Sequence, residues 1–175
     1  MITIVVLFVA CSAFLAWFSW PWLRNTHAHG FYRFFGFESV LVLFFSNIGR
    51  WFDNPFSALQ LVSWFLLISS SILAVHGFRL LQMIGKPSGN FENTTNLVTA
   101  GAYRSIRHPL YSSLILLTWG IFFKDLSLIG FLNCAVATIF FYATARIEES
   151  ENRVKFGEEY SRYVQSTKMF IPHVF

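Results

Sequence analysis

The chain has 175 residues, of which 55% are hydrophobic and 13% charged, with 22 Phe and 6 Trp. Soluble domains carry about a quarter charged residues, so this composition excludes an ordinary water-soluble globule and points to a bilayer. The net charge of +4 would suggest nucleic acid in a soluble protein; in a membrane chain its placement reports orientation instead. Cys11 and Cys134 both sit in apolar runs, with no CxxC and no flanking His pair, and read as packing residues rather than a disulfide or a zinc site.

Residues 2–23 are long enough to cross about 30 Å of hydrocarbon. With no basic residue before the run and no small-residue cleavage site after it, an uncleaved helix is expected. Trp17, Trp20 and Trp22 gather at its far end as an interfacial belt, where Pro21 ends or kinks it. The linker 24–33 contains His27-Ala28-His29, an HxH pair with no further ligand nearby, and reads as a solvated interfacial loop. A second apolar segment covers 34–52, with Glu38 near its start and Asn47 near its end. An acid at membrane depth is costly unless paired, so Glu38 is either a secondary site candidate or a snorkelling residue. The third segment, 58–83, carries Ser69-Ser70-Ser71, then His76 and Gly77, as a closely packed helix would. A lone histidine there fits hydrogen-bonded packing better than a cavity role.

Gly85 to Gly89 break this helix, and a polar loop runs on to Thr99. The loop lacks P-loop spacing, and the Asn93-Thr94-Thr95 sequon falls on the inner face. The stretch on which the chain turns follows: Gly101-Ala102-Tyr103-Arg104-Ser105-Ile106-Arg107-His108-Pro109-Leu110-Tyr111. Pro109 suits the first position of a helix, which places His108 at the N-cap. A helix N-terminus flanked by arginines and a histidine suits an anionic group; the plainer alternative is that the arginines only anchor a membrane helix. From Pro109 to Lys124 the fourth segment offers about 22 Å of helix, short for a full crossing. Lys124-Asp125 turns the chain into a fifth span, 126–145, and the two segments are expected to form an antiparallel hairpin. Beyond Ala145 the chain is highly charged, with Phe156, Tyr160, Tyr163 and Val164 at helical spacing, which predicts an amphipathic surface helix and then an interfacial tail, 169–175.

Five spans put all of the 13 lysines and arginines except Arg50 and Lys124 on one face. The positive-inside rule then predicts an outside N-terminus, a cytoplasmic C-terminus and a cytoplasmic site. The hairpin brings two charged clusters together there. Arg104, Arg107 and His108 suit a carboxylate, and Glu148 or Glu149 suits an ammonium or sugar hydroxyls; the alternative is an Arg–Glu network that merely pins the hairpin.

Residues 97–111, with their Arg107-His108-Pro109-Leu110-Tyr111 core, resemble the signature of the isoprenylcysteine carboxyl methyltransferase family, and phospholipid N-methyltransferases share that core. The second half of the resemblance is Glu148-Glu149, then Phe156-Gly157-Glu158-Glu159-Tyr160 and Ile171-Pro172. Ser112-Ser113 stands where many relatives have a small residue and then Gly. The segments and charges together predict an all-α integral-membrane bundle of about five transmembrane helices plus a C-terminal amphipathic cytoplasmic helix. The resemblance implies S-adenosylmethionine as cofactor, S-adenosylhomocysteine as product, and a lipophilic acceptor arriving from the bilayer. Carried over, Tyr103, Arg107, His108 and Tyr111 fall on the first cofactor motif and Glu148 and Glu149 on the second; with Arg104 of the basic cluster they are the expected cofactor-binding residues, with no metal and no assigned catalytic base. The chain then divides as one domain, 1–175: three spans in 1–85, a cofactor loop in 86–108, the hairpin in 109–145 and a C-terminal helix and tail in 146–175. Carboxyl O-methylation is the first expectation, with phospholipid N-methylation or small-thiol S-methylation beside it. A non-enzymatic scaffold or transporter subunit is the alternative of another class.

Overall fold

A computed structural model describes residues 2–88 and 93–174. Five α-helices build it: α1 (Ile2–Leu23), α2 (His29–Ser46), α3 (Ala58–Leu80), α4 (Pro109–Phe122) and α5 (Leu128–Ser166). Among the described residues there is no strand, only isolated bridges between Pro87 and Thr94 and between Ile106 and Lys168. Gly89 of the predicted break and Phe175 of the predicted tail lie outside the described residues.

Among the described residues, three helical stretches are long and apolar enough to cross a membrane: Ile2–Leu23, Ala58–Gly85 and Leu128–Ser166. The protein is an integral membrane protein. α2 has 18 residues but carries Arg33 and Glu38, and α4 has only 14. Both are inside the bundle all the same, α2 packed on α1 and α5, and α4 on α3 and α5. α2 starts five residues before the predicted second span, because Arg33, read as the end of a linker, is buried against its neighbours and belongs to the helix.

Helix pairs in lipid gain little from apolar burial alone and rely on close packing and side-chain hydrogen bonds. The α3–α4 seam follows that rule: Ser63 Oγ donates to Gly120 O and Ser70 Oγ to Ser113 O, each at 2.7 Å. Asn133 Nδ2 of α5 donates to Ser39 O of α2 at 2.6 Å. Glu38 is held between α1 and α2, its Oε2 accepting from Ser12 Oγ at 2.9 Å. This bond ties Glu38 to α1, and the residue is not part of the wall of the cavity described below. At the far end of the bundle Lys124 Nζ donates to Gln60 Oε1 at 3.0 Å and lies 3.4 Å from the centre of the Trp64 ring.

The compositional change at Ala145 is not a backbone change. α5 continues with helical geometry until Gly157, whose φ of 57° and ψ of −126° are open to glycine and costly for other residues. To that point the helix is about 45 Å long, half as long again as the hydrocarbon core. The predicted surface helix thus begins as a direct continuation of the last span, past its apolar residues. After Gly157 the chain bends back, burying Tyr160 and Tyr163. A C-terminal strap then clasps the loop before α4. Lys168 N–H donates to Ser105 O at 3.1 Å, Arg107 N–H to Lys168 O at 2.8 Å, and His108 N–H to Met169 O at 3.1 Å.

Candidate functional site

Pro109 occupies the first turn of α4 and His108 its N-cap, as the fixed φ of proline predicts. Upstream, His76 of α3 accepts the Ala102 N–H with Nε2 at 3.3 Å, so this histidine steadies the short 3-10 turn Gly101–Arg104. The Tyr163 hydroxyl donates to Tyr103 O at 2.6 Å from the opposite side. The loop is therefore held by α3, by the bent end of α5 and by the strap.

These elements enclose a cavity of about 690 Å³, inside the roughly 300–1,000 Å³ range of ligand sites. Tyr103, Arg107, His108, Glu148 and Asn152 make one wall polar, while Phe37, Val75, Phe78, Leu110 and Leu114 make another apolar. Of the residues singled out from the sequence, Tyr103, Arg107, His108, Tyr111 and Glu148 come together around this space. Two do not reach it. Arg104 is exposed and lines a separate groove with Glu159 and Arg162. Glu149 lies behind the wall.

Glu149 is a clasp. Its Oε1 accepts from Arg107 Nε at 2.6 Å, and the two side chains are 6% and 9% exposed. Arg107 Nη1 also donates to Thr167 O at 2.6 Å. Burial pushes the Glu149 carboxyl up, but contacts with His108 and Arg107 outweigh it and hold the group below its ordinary value. The anticipated salt bridge pinning the hairpin is thus real and belongs to Glu149. His108 Nε2 lies 3.4 Å from Glu149 Oε1, close enough for electrostatic attraction but without hydrogen-bond geometry. It is a buried ring nitrogen in the cavity wall with no hydrogen-bond partner among the described residues.

Glu148 precedes Glu149 by about 100° of helix rotation and faces the cavity. Asn152 and Phe156 repeat that face at intervals of four residues. Burial, and then the nearby Glu148 charge, push the Tyr103 phenol well above its ordinary range, so it stays a neutral hydrogen-bonding group. Tyr160 is raised likewise, by burial and then by Glu149 and Glu148.

The sequence reading missed Asn152 and Arg33 in this wall, and met Phe156, Tyr160 and Tyr163 only as an amphipathic stripe. The four-residue step from Glu148 was the available signal for Asn152. For Arg33 it was a lone charge heading an aromatic run, obscured by starting the helix too late. The HxH pair also resolves differently: His29 opens α2, and its Nδ1 lies 2.6 Å from Glu151 Oε2 of α5.

A mixed polar and apolar cavity at one end of a membrane-embedded helical bundle has room for a polar ligand beside a lipophilic one. The chain belongs to the phospholipid methyltransferase family, which it matches over residues 58–159. It is 28% identical over 127 residues to methanethiol S-methyltransferase 1 of Bradyrhizobium diazoefficiens, an alignment covering 69% of this chain and 44% of that protein. The chain thus spans less than half the length of that relative. No solved structure matches it.

Proposed function

We propose that the chain transfers a methyl group from S-adenosylmethionine to a lipophilic thiol. The observation that carries this reading is the continuity of one cavity from the charged loop 101–111 to the apolar faces of α2, α3 and α4. Family membership supports the methyl transfer, and the similarity to a methanethiol S-methyltransferase supports the thiol. Carboxyl O-methylation of an isoprenylcysteine-like acceptor is the second reading, favoured by the two-part resemblance over residues 97–172.

The residues present fit the cofactor. The unpartnered His108 Nε2 and the Arg107 guanidinium suit its carboxylate. Glu148 suits its ammonium, and the Tyr103, Tyr160 and Phe156 rings suit a flat base or a sulfonium cation. When bound, S-adenosylmethionine supplies an electrophilic methyl on a sulfonium. The chain itself orients the partners, excludes water with Tyr111, Tyr160 and Tyr163, and keeps a low dielectric around charges that cancel during transfer. An anionic acceptor needs no base. An amine would need one, and Glu38 and His76 lie outside the cavity wall. In this reading the segments 86–108 and 146–175 hold the cofactor on the cytoplasmic side, and helices from 1–85 supply the acceptor wall.

Calorimetric titration of S-adenosylhomocysteine into the detergent-purified protein tests the proposal. Saturable binding by wild type, lost in a folded His108→Ala variant, is expected. A folded wild type that binds none, in detergent and in reconstituted bilayer alike, sinks it and favours a scaffold.

A further inference from the structure

The groove that holds Arg104 has a volume of about 300 Å³ and brings that residue, from the 3-10 turn, together with Glu159 and Arg162 of the bent end of α5. All three side chains are exposed, and among the described residues none of them makes a hydrogen bond or an ion pair. Leu97 and Tyr163 line both this groove and the large cavity, so the two spaces adjoin across those residues. Its depth follows from α5. Leu128 and Ile129, at the other end of that helix, are apolar and 74% and 81% exposed, as lipid-facing residues are. From Leu128 to Glu149 the helix rises about 32 Å, close to the roughly 30 Å of the hydrocarbon core. Glu149 is paired with Arg107, just past the turn that carries Arg104. The groove therefore lies where hydrocarbon gives way to phosphate headgroups.

We propose that this groove is a phosphate-binding site, in which Arg104 and Arg162 hold a phosphate ester and thereby clamp the loop before α4 to the bent end of α5. Two guanidiniums in one groove repel each other, and a phosphate between them answers both through bidentate, charge-assisted hydrogen bonds. Neither arginine is engaged by a protein carboxylate, so both forks remain available. Glu159 opposes the anion from one turn before Arg162, but the two arginines leave one positive charge in excess. A basic pocket at the end of a membrane bundle suits an anionic lipid headgroup, and a free phosphate ester has the same chemistry. The groove is also the back of the cavity wall. The Tyr163 hydroxyl donates to Tyr103 O, and Thr167, which lines the groove, accepts from Arg107 Nη1 with its carbonyl. A phosphate bridging Arg104 and Arg162 adds a further link between the same elements. The site stands apart from the methyl-transfer reading. Only one consequence rests on that reading: phosphate and S-adenosylhomocysteine raise each other's affinity by the same factor.

The test is calorimetric titration of the full chain in a sugar-headed detergent and phosphate-free buffer. The probes are dihexanoyl phosphatidic acid, methyl phosphate and uncharged dihexanoylglycerol. Wild type binds the phosphates and not dihexanoylglycerol. A phosphatidic acid affinity well above that of methyl phosphate marks a lipid headgroup as the source; equal affinities mark a free ester. Arg104→Gln and Arg162→Gln each weaken phosphate binding by at least about tenfold, the scale of a hydrogen bond to a charged group. Glu159→Gln strengthens it by about two- to fivefold, a gain that misfolding does not produce. Unfolding midpoints near that of wild type in phosphate-free buffer show that the variants are folded. Bound phosphate also slows hydrogen exchange at the amides of Arg107, His108 and Lys168, which join the loop to the strap. No phosphate binding by wild type, undiminished binding by either arginine variant, weaker binding by Glu159→Gln, or unaltered exchange with phosphate bound overturns the proposal. The first and last need no variant. Phosphate binding by a wild type that takes no S-adenosylhomocysteine sinks the methyl-transfer reading and leaves this site standing.

Discussion

Glu149 Oε1 lies 2.6 Å from Arg107 Nε, behind the wall of the cavity that Glu148, its immediate neighbour on α5, faces. Two adjacent acids thus have separate physical tasks, one structural and one open to a ligand. That separation makes the pair testable.

Glu148→Gln is expected to leave thermal stability in detergent nearly unchanged and to weaken S-adenosylhomocysteine binding by about 10- to 100-fold, the scale of one hydrogen bond to a charged group. Arg104→Ala, on the exposed side of the loop, changes neither quantity. Calorimetry with thermal unfolding reads both. A Glu148→Gln protein that binds as wild type removes this residue from the site.

Glu149→Gln behaves the other way. Losing one member of a buried ion pair leaves the other charge uncompensated, at a cost of about 3–5 kcal/mol. The unfolding midpoint falls, and whatever binding is lost follows the loss of fold.

The same carboxyl sets an acid limit. Its folded pKa is depressed, so its contribution to stability is complete above the ordinary value of 4.5 and disappears as pH falls through the lower folded value. Wild type should therefore lose stability below about pH 4.5 more steeply than Glu149→Gln. Unfolding midpoints measured from neutral to acid pH compare the slopes; parallel curves would show that the pair carries no such linkage.

Tyr163→Phe removes the hydroxyl that donates to Tyr103 O at 2.6 Å and leaves a buried carbonyl without that donor. A cost of about 1–3 kcal/mol is expected. Hydrogen exchange should quicken at the amides of Arg107, His108 and Lys168, which close the strap. Unaltered protection there would show that the strap holds the loop without the tyrosine.

Gly157→Ala places a side chain at φ 57°, ψ −126°, a backbone region costing about 1–3 kcal/mol for residues other than glycine. Nothing lies within 4 Å of an added Cβ, so the effect is conformational and not a clash. Straightening α5 at this point carries Tyr160 and Tyr163 off the cavity. Weakened S-adenosylhomocysteine binding with the helical content retained is the expected result.

Much of the architecture was readable because it is local. Composition alone excludes a water-soluble globule, Pro109 starts α4 through its own ring, and α3 and α4 end within a few residues of their predicted limits. The juxtaposition of Arg107 with the acids at 148 and 149 also follows from the hairpin expected around Lys124-Asp125, although five residues, 123–127, join the two helices. Arg33 was hidden because its burial depends on the Trp22 ring and on how the helices pack around α2, which no local pattern reports. The continuity of α5 was hidden because a change from apolar to charged residues alters what surrounds a helix without breaking its hydrogen bonds.

The sequence by itself determined a membrane-embedded helical bundle, the helix start at His108-Pro109 and the two clusters that meet at one end. These depend on backbone sterics, segment length and the solvent each segment prefers. Only the tertiary structure decided that Glu148 faces the cavity while Glu149 clasps Arg107, that Arg104 points away, and that Arg33 joins the wall. Each of those depends on how far a helix is rotated about its axis. A step of about 100° per residue sends neighbours in different directions, and only packing against other helices sets where that rotation begins.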